Sequence, residues 1–202
     1  MIALLDTSHD LDECAAELGH EAIGQLITSS KRPLRDPSKP WAIDNRAFVG
    51  FEVKAFTALL ARYEQHRDTC LFVTVPDVVG SARRTLEVFE HWRQKLARWR
   101  LALACQDGQE HLPIPWGAID AVFIGGSTNW KGSLAAVHII QAAQLLGKHV
   151  HVGRVNGPER WKYFEALGVD SVDGSGIARY SHMRNAISER HVQSSLDWET
   201  VS

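Results

Sequence analysis

The sequence predicts a compact single-domain (β/α)8 barrel, an α/β fold, and three observations carry that prediction. Short apolar runs recur along the chain, each ending in a polar or glycine-rich mark. Segments of helical period stand between them. The cores of the runs are rich in Val, Ile, Leu and Ala with little alternation, as in a parallel sheet covered on both faces. At 202 residues, against about 250 for a typical barrel, the chain would carry few insertions. An open doubly wound sheet fits less well, because no GxGxxG follows the first run.

Taken in order, Ile2 to Asp6 and Gln25 to Thr28 read as the first two strands, and the Ser-, Lys-, Arg- and Pro-rich stretch Ser29 to Lys39 as a mobile loop. Trp41 to Ile43 is a third strand ending at Asp44. Phe51 to His66 is helical by period, with Phe56, Leu59, Leu60 and Tyr63 on one face. Leu71 to Pro76 is the next strand, and Ser81 caps a helix reaching Trp99 whose stripe is Leu86, Phe89, Trp92 and Leu96. Strands Leu101 to Cys105 and Ala121 to Ile124 follow. The helix Ser133 to Leu146 closes at Gly147, and strand His149 to Gly153 leads into a helix Pro158 to Leu167 closed by Gly168. Ser171-Val172 is the last strand, and the polar tail from about Ser188 is expected to fray.

Composition narrows the function classes. A formal net charge of -2 removes the simplest argument for a nucleic-acid partner, so phosphate contacts would have to come from local patches. Lys31 to Arg35, Arg83-Arg84 and Arg179 through Arg184 are the candidates, and each reads more readily as plain solvated surface. Cys14, Cys70 and Cys105 form no CxxC pair, which argues against a zinc site or disulfide framework and for reduced thiols. No apolar stretch reaches the roughly 18 residues of a membrane span, and the start lacks the features of a signal peptide. A cytoplasmic protein is expected, with no membrane partner.

In such a barrel the runs deliver their terminal residues to one end of the sheet, where active sites are built. Asp44 and Asp173 stand at strand ends, and two converging carboxylates can divide nucleophile from general acid/base at a glycosidic carbon. Either could instead merely cap a turn or helix. Asp170 and Asp173 differ in parity, so only Asp173 is expected at the open rim. Asp77 and Gln106, at neighbouring strand ends, can read the edge of a purine. Gly125-Gly126 would let backbone amides approach a planar ligand. His149 and His151 share a strand face and with Asp173 suggest a rival, a metal-dependent hydrolase; more often such histidines are half-buried and hydrogen-bonded.

These motifs, in this order over Gln25 to Arg184, resemble the tRNA-guanine transglycosylase superfamily. Ala42 to Phe48 resembles its Asp-Asn/Ser-Gly-Ala/Gly-Phe segment, with Asp44 assisting proton transfer and Asn45 near the substrate. Val75-Pro76-Asp77 and Ala104-Cys105-Gln106 are similar to its base-reading segments, and Phe123 to Ser127 to its Gly-Gly segment. Gly168 to Gly174 is similar to Gly-Val-Asp-x-Phe-Asp, whose second aspartate is the nucleophile, implying Asp173. The departures are Arg46 in place of the usual glycine and the lack of any cysteine after Cys105, so the C-terminal zinc subdomain of tRNA-acting members is not expected in this fold. A short, zinc-free version is most similar to the deazapurine DNA-modification transglycosylases of phages and bacteria.

The resemblance implies exchange of guanine in DNA for a 7-deazaguanine such as preQ0 through a covalent Asp-linked glycosyl intermediate. A tRNA substrate or base-cleaving glycosidase activity is the alternative. Asp173 and Asp44 would be catalytic, and Asp77, Gln106, Gly125, Gly126, Asn45 and Arg154 would bind substrate. Lys131, Arg179 and Arg46 would contact the nucleic acid. No metal or other cofactor is implied, and a homodimer is left open.

Overall fold

The structure, a computed structural model, describes residues 1–7, 10–29 and 33–188. Lys31 and Arg32 of the first basic patch, with part of the expected mobile loop, and the tail beyond residue 188 lie outside the described residues. Eight parallel strands close into a barrel in chain order: β1 (Ile2–Asp6), β2 (Ile23–Ile27), β3 (Trp41–Ile43), β4 (Cys70–Thr74), β5 (Leu101–Cys105), β6 (Ala121–Ile124), β7 (His149–Val152) and β8 (Ser171–Val172). The seam closes where Ser171 and Val172 pair with Ile2 and Ala3. Among the described residues, no helix is long and apolar enough to cross a membrane.

Around the sheet run α1 (Leu11–Leu18), α2 (Val53–Tyr63), α3 (Ala82–Arg93), the single turn α4 (Thr128–Lys131), α5 (Leu134–Leu145), α6 (Pro158–Ala166) and α7 (Ser175–Arg179), and residues 181–188 are also helical. Economy in two connections lets eight strands fit a short chain. Between β5 and β6 there are only 3₁₀ turns at Gln109–His111 and Trp116–Ala118, and no described residue between β2 and β3 is helical.

Helix α1 is absent from the sequence reading, although Leu11, Cys14, Ala15 and Leu18 have helical spacing. Asp10 caps it, its Oδ1 accepting the amides of Asp12 and Glu13 at 3.1 Å. Two expected helices are shorter than their apolar stripes. α2 gives way at Glu64 to a 3₁₀ turn, and α3 ends at Arg93 rather than Trp99. Beyond Arg93 the chain must reverse to enter β5, so the amides of Leu96 and Trp99 close turns on Trp92 and Leu96 while both side chains stay buried. Gly147 and Gly168 end α5 and α6 at φ 64 and 70, as expected of caps.

The core has two layers. Between sheet and helices lie large side chains such as Trp41, Phe56, Phe89 and Ile140, whereas inside the barrel Leu4, Ala42, Ala102 and Ala121 pack around Phe72. The small alanines leave room for polar groups along the axis, and Ser171 and His151 are both 0% exposed there. At the seam, Arg184 is buried against Glu13 and Glu17 of α1 and the carbonyls of Ile177 and Ala178. The basic patch expected at Arg179 through Arg184 therefore loses Arg184 to the structure. Arg83 and Arg84 stay exposed.

Candidate active site at the C-terminal end of the barrel

Strand polarity brings the expected residues together. A cavity of about 210 Å³ at the C-terminal ends of the strands is lined by Asp44, Asn45, Asp77, Gln106, Gly125, Arg154 and Asp173. Its volume is below the ~300–1,000 Å³ usual for drug-sized ligands and so suits a single base. A larger hollow of about 640 Å³ lies beside Met1, Leu18 and Trp161 and gathers none of those residues.

Asp173 follows β8 and faces the cavity, while Asp170 turns away and accepts the Val150 amide at 2.7 Å, as parity requires. Asp173 Oδ1 accepts the Arg154 amide at 2.8 Å and Oδ2 lies 3.0 Å from His151 Nε2. Gly174 permits this approach: a Cβ there would sit 2.2 Å from the carbonyl oxygen of Val155, whose own amide donates to the Asp173 carbonyl at 2.6 Å. The other carboxyl, Asp44, accepts the Arg46 amide at 3.3 Å. Burial, and next the charge of Asp173, push its pKa up to about 7. One carboxyl able to carry a proton near neutrality beside a second held by donors is a division of labour suited to acid/base and nucleophilic roles.

Asp77 sits in a clamp of amides. Its Oδ1 accepts Asn45 Nδ2 at 2.8 Å and its Oδ2 accepts Gln106 Nε2 at 2.7 Å. Burial pushes its pKa up, opposed by those two donors. Gln106 is fixed in turn by the Gly80 amide, 3.2 Å from Oε1. Asn45 also donates to the Val75 carbonyl at 2.8 Å and accepts the Ala47 amide at 2.6 Å. With its hydrogen-bonding groups so occupied, Asn45 positions Asp77 rather than presenting itself to a substrate.

Three other expectations change. The amides of Gly125 and Gly126 both donate to the Cys105 carbonyl, at 3.0 and 3.2 Å, and so do not face a ligand; Gly125 contributes only cavity wall. Lys131 is 3% exposed, with Nζ on the Gly153 carbonyl, and burial followed by the charge of Arg154 lowers its pKa to about 8. It braces the floor behind Asp173 and is not a surface phosphate contact. The metal-hydrolase reading loses its ligand set. His149 and His151 both point to Ser171 inside the barrel, and among the described residues no group of three or more His, Cys, Asp or Glu converges as ligands would.

Arg154 lies at the cavity as expected, but its conformation is specialised. Its backbone is left-handed (φ 60), Nη2 donates to the carbonyls of Gly125 and Gly126 at 2.5 and 2.8 Å, and the guanidinium lies 4.5 Å from the ring centre of Phe48. Phe48 and Val49 are 66% and 72% exposed, putting apolar surface at the cavity. Arg46, also left-handed (φ 63), is half-buried on the same loop, and Arg179 is exposed beside a separate groove shared with Asn156 and Tyr180. Sequence reasoning missed Phe48 as a cavity residue and Thr74, whose buried Oγ1 has no hydrogen-bond partner. Alternation along β4 could have found Thr74, which shares the inward face of Phe72 two residues before it.

No protein-family model matches the chain and no curated protein matches it in sequence. Among solved structures it is similar to the BexX/CysO complex of Amycolatopsis orientalis, at 11% identity over 98% of this chain and 91% of that one, with a TM-score of 0.57. A putative glycerophosphoryl diester phosphodiesterase of Silicibacter pomeroyi follows, at 14% identity over 90% and 55% of the two chains and a TM-score of 0.49. Phosphoribosyl anthranilate isomerase of Thermus thermophilus is 12% identical over 96% and 99%, with a TM-score of 0.48. At such identity the likeness is one of fold alone, and none of the three is a guanine transglycosylase.

Proposed function

We propose that this barrel exchanges guanine in DNA for a 7-deazaguanine base. One observation carries the reading: the carboxyls of Asp44 and Asp173 line the same small cavity as the Asp77–Gln106 pair. The first two suit the chemistry of a sugar carbon, and the last two suit the edge of a purine.

The target nucleotide leaves the stack at a cost of a few kcal/mol. A carboxylate oxygen of Asp173 attacks C1′ as the bond from C1′ to N9 breaks. The bonding electrons go to guanine, which takes a proton from Asp44 and departs. The incoming base then returns that proton to Asp44 as its own N9 attacks C1′ and expels Asp173. One N-glycosidic bond replaces another, so the exchange needs no energy input. Asp77 and Gln106 would hold first guanine and then its replacement.

The test is to incubate the protein with radiolabelled guanine and, in parallel, DNA or tRNA. Label entering DNA is expected. Label entering tRNA alone would move the reading to the runner-up polymer. Release of guanine from polymer with no uptake would mark a glycosidase.

A further inference from the structure

We propose that His149, Ser171 and His151 form a one-way hydrogen-bond chain through the barrel interior that orients Asp173, making His151 the positioning residue of the nucleophile. The register of β7 and β8 sets His151 beside Ser171. His149 Nε2 lies 2.7 Å from Ser171 Oγ, His151 Nδ1 lies 2.9 Å from the same oxygen, and His151 Nε2 lies 3.0 Å from Asp173 Oδ2. The inference rests on the role given to Asp173 in base exchange, but the chain itself follows from geometry.

Its direction follows from counting protons. A carboxylate only accepts, so His151 donates from Nε2. Its Nδ1 then accepts, and among the described residues the hydrogen-bond partner on that side is the Ser171 hydroxyl at 2.9 Å. With the hydroxyl proton committed, Ser171 Oγ must accept from His149 Nε2. Each hydrogen bond has one direction, and the chain ends on Asp173. Apolar rings enforce it: Phe72 lies 5.4 and 5.2 Å from the imidazoles of His149 and His151, and Phe123 lies 4.6 Å from His151. A second proton on His151 would turn Nδ1 from acceptor into donor and reverse the chain. At His149, burial pushes the imidazole pKa down to about 4.

The residue types are those of a Ser-His-Asp hydrolase, yet Ser171 is 0% exposed with an imidazole on either side, so it cannot meet a substrate. The Arg154 amide on Oδ1 and His151 on Oδ2 together fix the plane of the Asp173 carboxylate. Each oxygen keeps a lone pair for C1′.

The experiment combines ring-nitrogen NMR with kinetics on the full chain. Two-bond ¹H–¹⁵N spectra of histidine-labelled protein, assigned with His149→Gln and His151→Gln, should show the proton on Nε2 of both rings and a bare Nδ1 on His151. A proton on Nδ1 of His151, alone or with one on Nε2, overturns the chain. His151→Leu should bind guanine with unchanged affinity and lower the exchange rate about 10–100-fold, and His151→Gln, which keeps a donor, should recover part of it. Exchange by His151→Leu at the wild-type rate overturns the positioning role. Should that variant fail to fold, the wild-type spectra decide. Expected tautomers in a protein that exchanges no guanine would sink the reading of function and leave the chain standing.

Discussion

Gln106 Nε2 donates to Asp77 Oδ2 at 2.7 Å, joining the C-terminal ends of the adjacent strands β4 and β5. With Asn45 on its other oxygen at 2.8 Å, Asp77 is held by two donors and faces the cavity in one orientation. Asp77→Asn offers a single acceptor to the same pair, leaving one amide facing another. The expected result is guanine binding weakened at least tenfold with the fold retained, since a hydrogen bond to a charged acceptor is worth about 1.5–3 kcal/mol. Titration calorimetry with guanine checks it, and unchanged affinity would mean that the base sits elsewhere.

Asp173→Asn keeps the size and the contact with the Arg154 amide but removes the nucleophile. Exchange should fall by at least about 10³-fold with circular dichroism close to wild type, while melting drops by no more than the cost of turning an amide N–H toward the donor on His151. Residual exchange near the wild-type rate would take the covalent role from this residue.

Asp44 makes stability depend on pH. Its carboxyl is raised in the folded protein from an ordinary 3.8 to about 7. Between those values the native state holds a proton that the unfolded chain has released. Its stabilising contribution is therefore complete below pH 3.8 and lost as pH rises through about 7. Asp44→Asn, a neutral isostere, should melt higher than wild type at pH 8 and show no such gain near pH 4. A melting difference that is the same at both pH values would contradict the raised carboxyl.

Gly174→Ala should be costly although glycine there is in an extended conformation (φ 167). A Cβ would meet the backbone of Val155 at 2.2 Å, and the displaced segment carries Asp173. Overpacking of about 1–3 kcal/mol corresponds to a melting point lower by roughly 2–12 °C in a domain of this size, with a loss of exchange larger than melting explains. Scanning calorimetry and the label assay measure the two effects.

Most of the barrel was legible because strand cores and caps are local. Five of the eight strands are observed at the bounds read from apolar runs, and Ser133, Gly147 and Gly168 cap as their chemistry dictates. The misreadings lie where a local signal yields to the need to turn. The stripe of α3 continues through Leu96 and Trp99 after the helix itself has stopped. Helix α1 escaped notice although its capping Asp10 and its spacing were present.

The site divides along the same line. The sequence by itself determined that Asp44, Asp77, Gln106 and Asp173 would share one end of a barrel, because parallel strands deliver their C-terminal residues to one rim. Only the tertiary structure decided which groups remain available there. It engaged the Gly125 and Gly126 amides with Cys105, sank Lys131 beneath Gly153, and turned the two histidines inward to Ser171 and Asp173. The physical reason is that hydrogen-bond partners across strands depend on register and barrel closure, which bring together residues far apart in the chain and leave no mark in the local pattern of either.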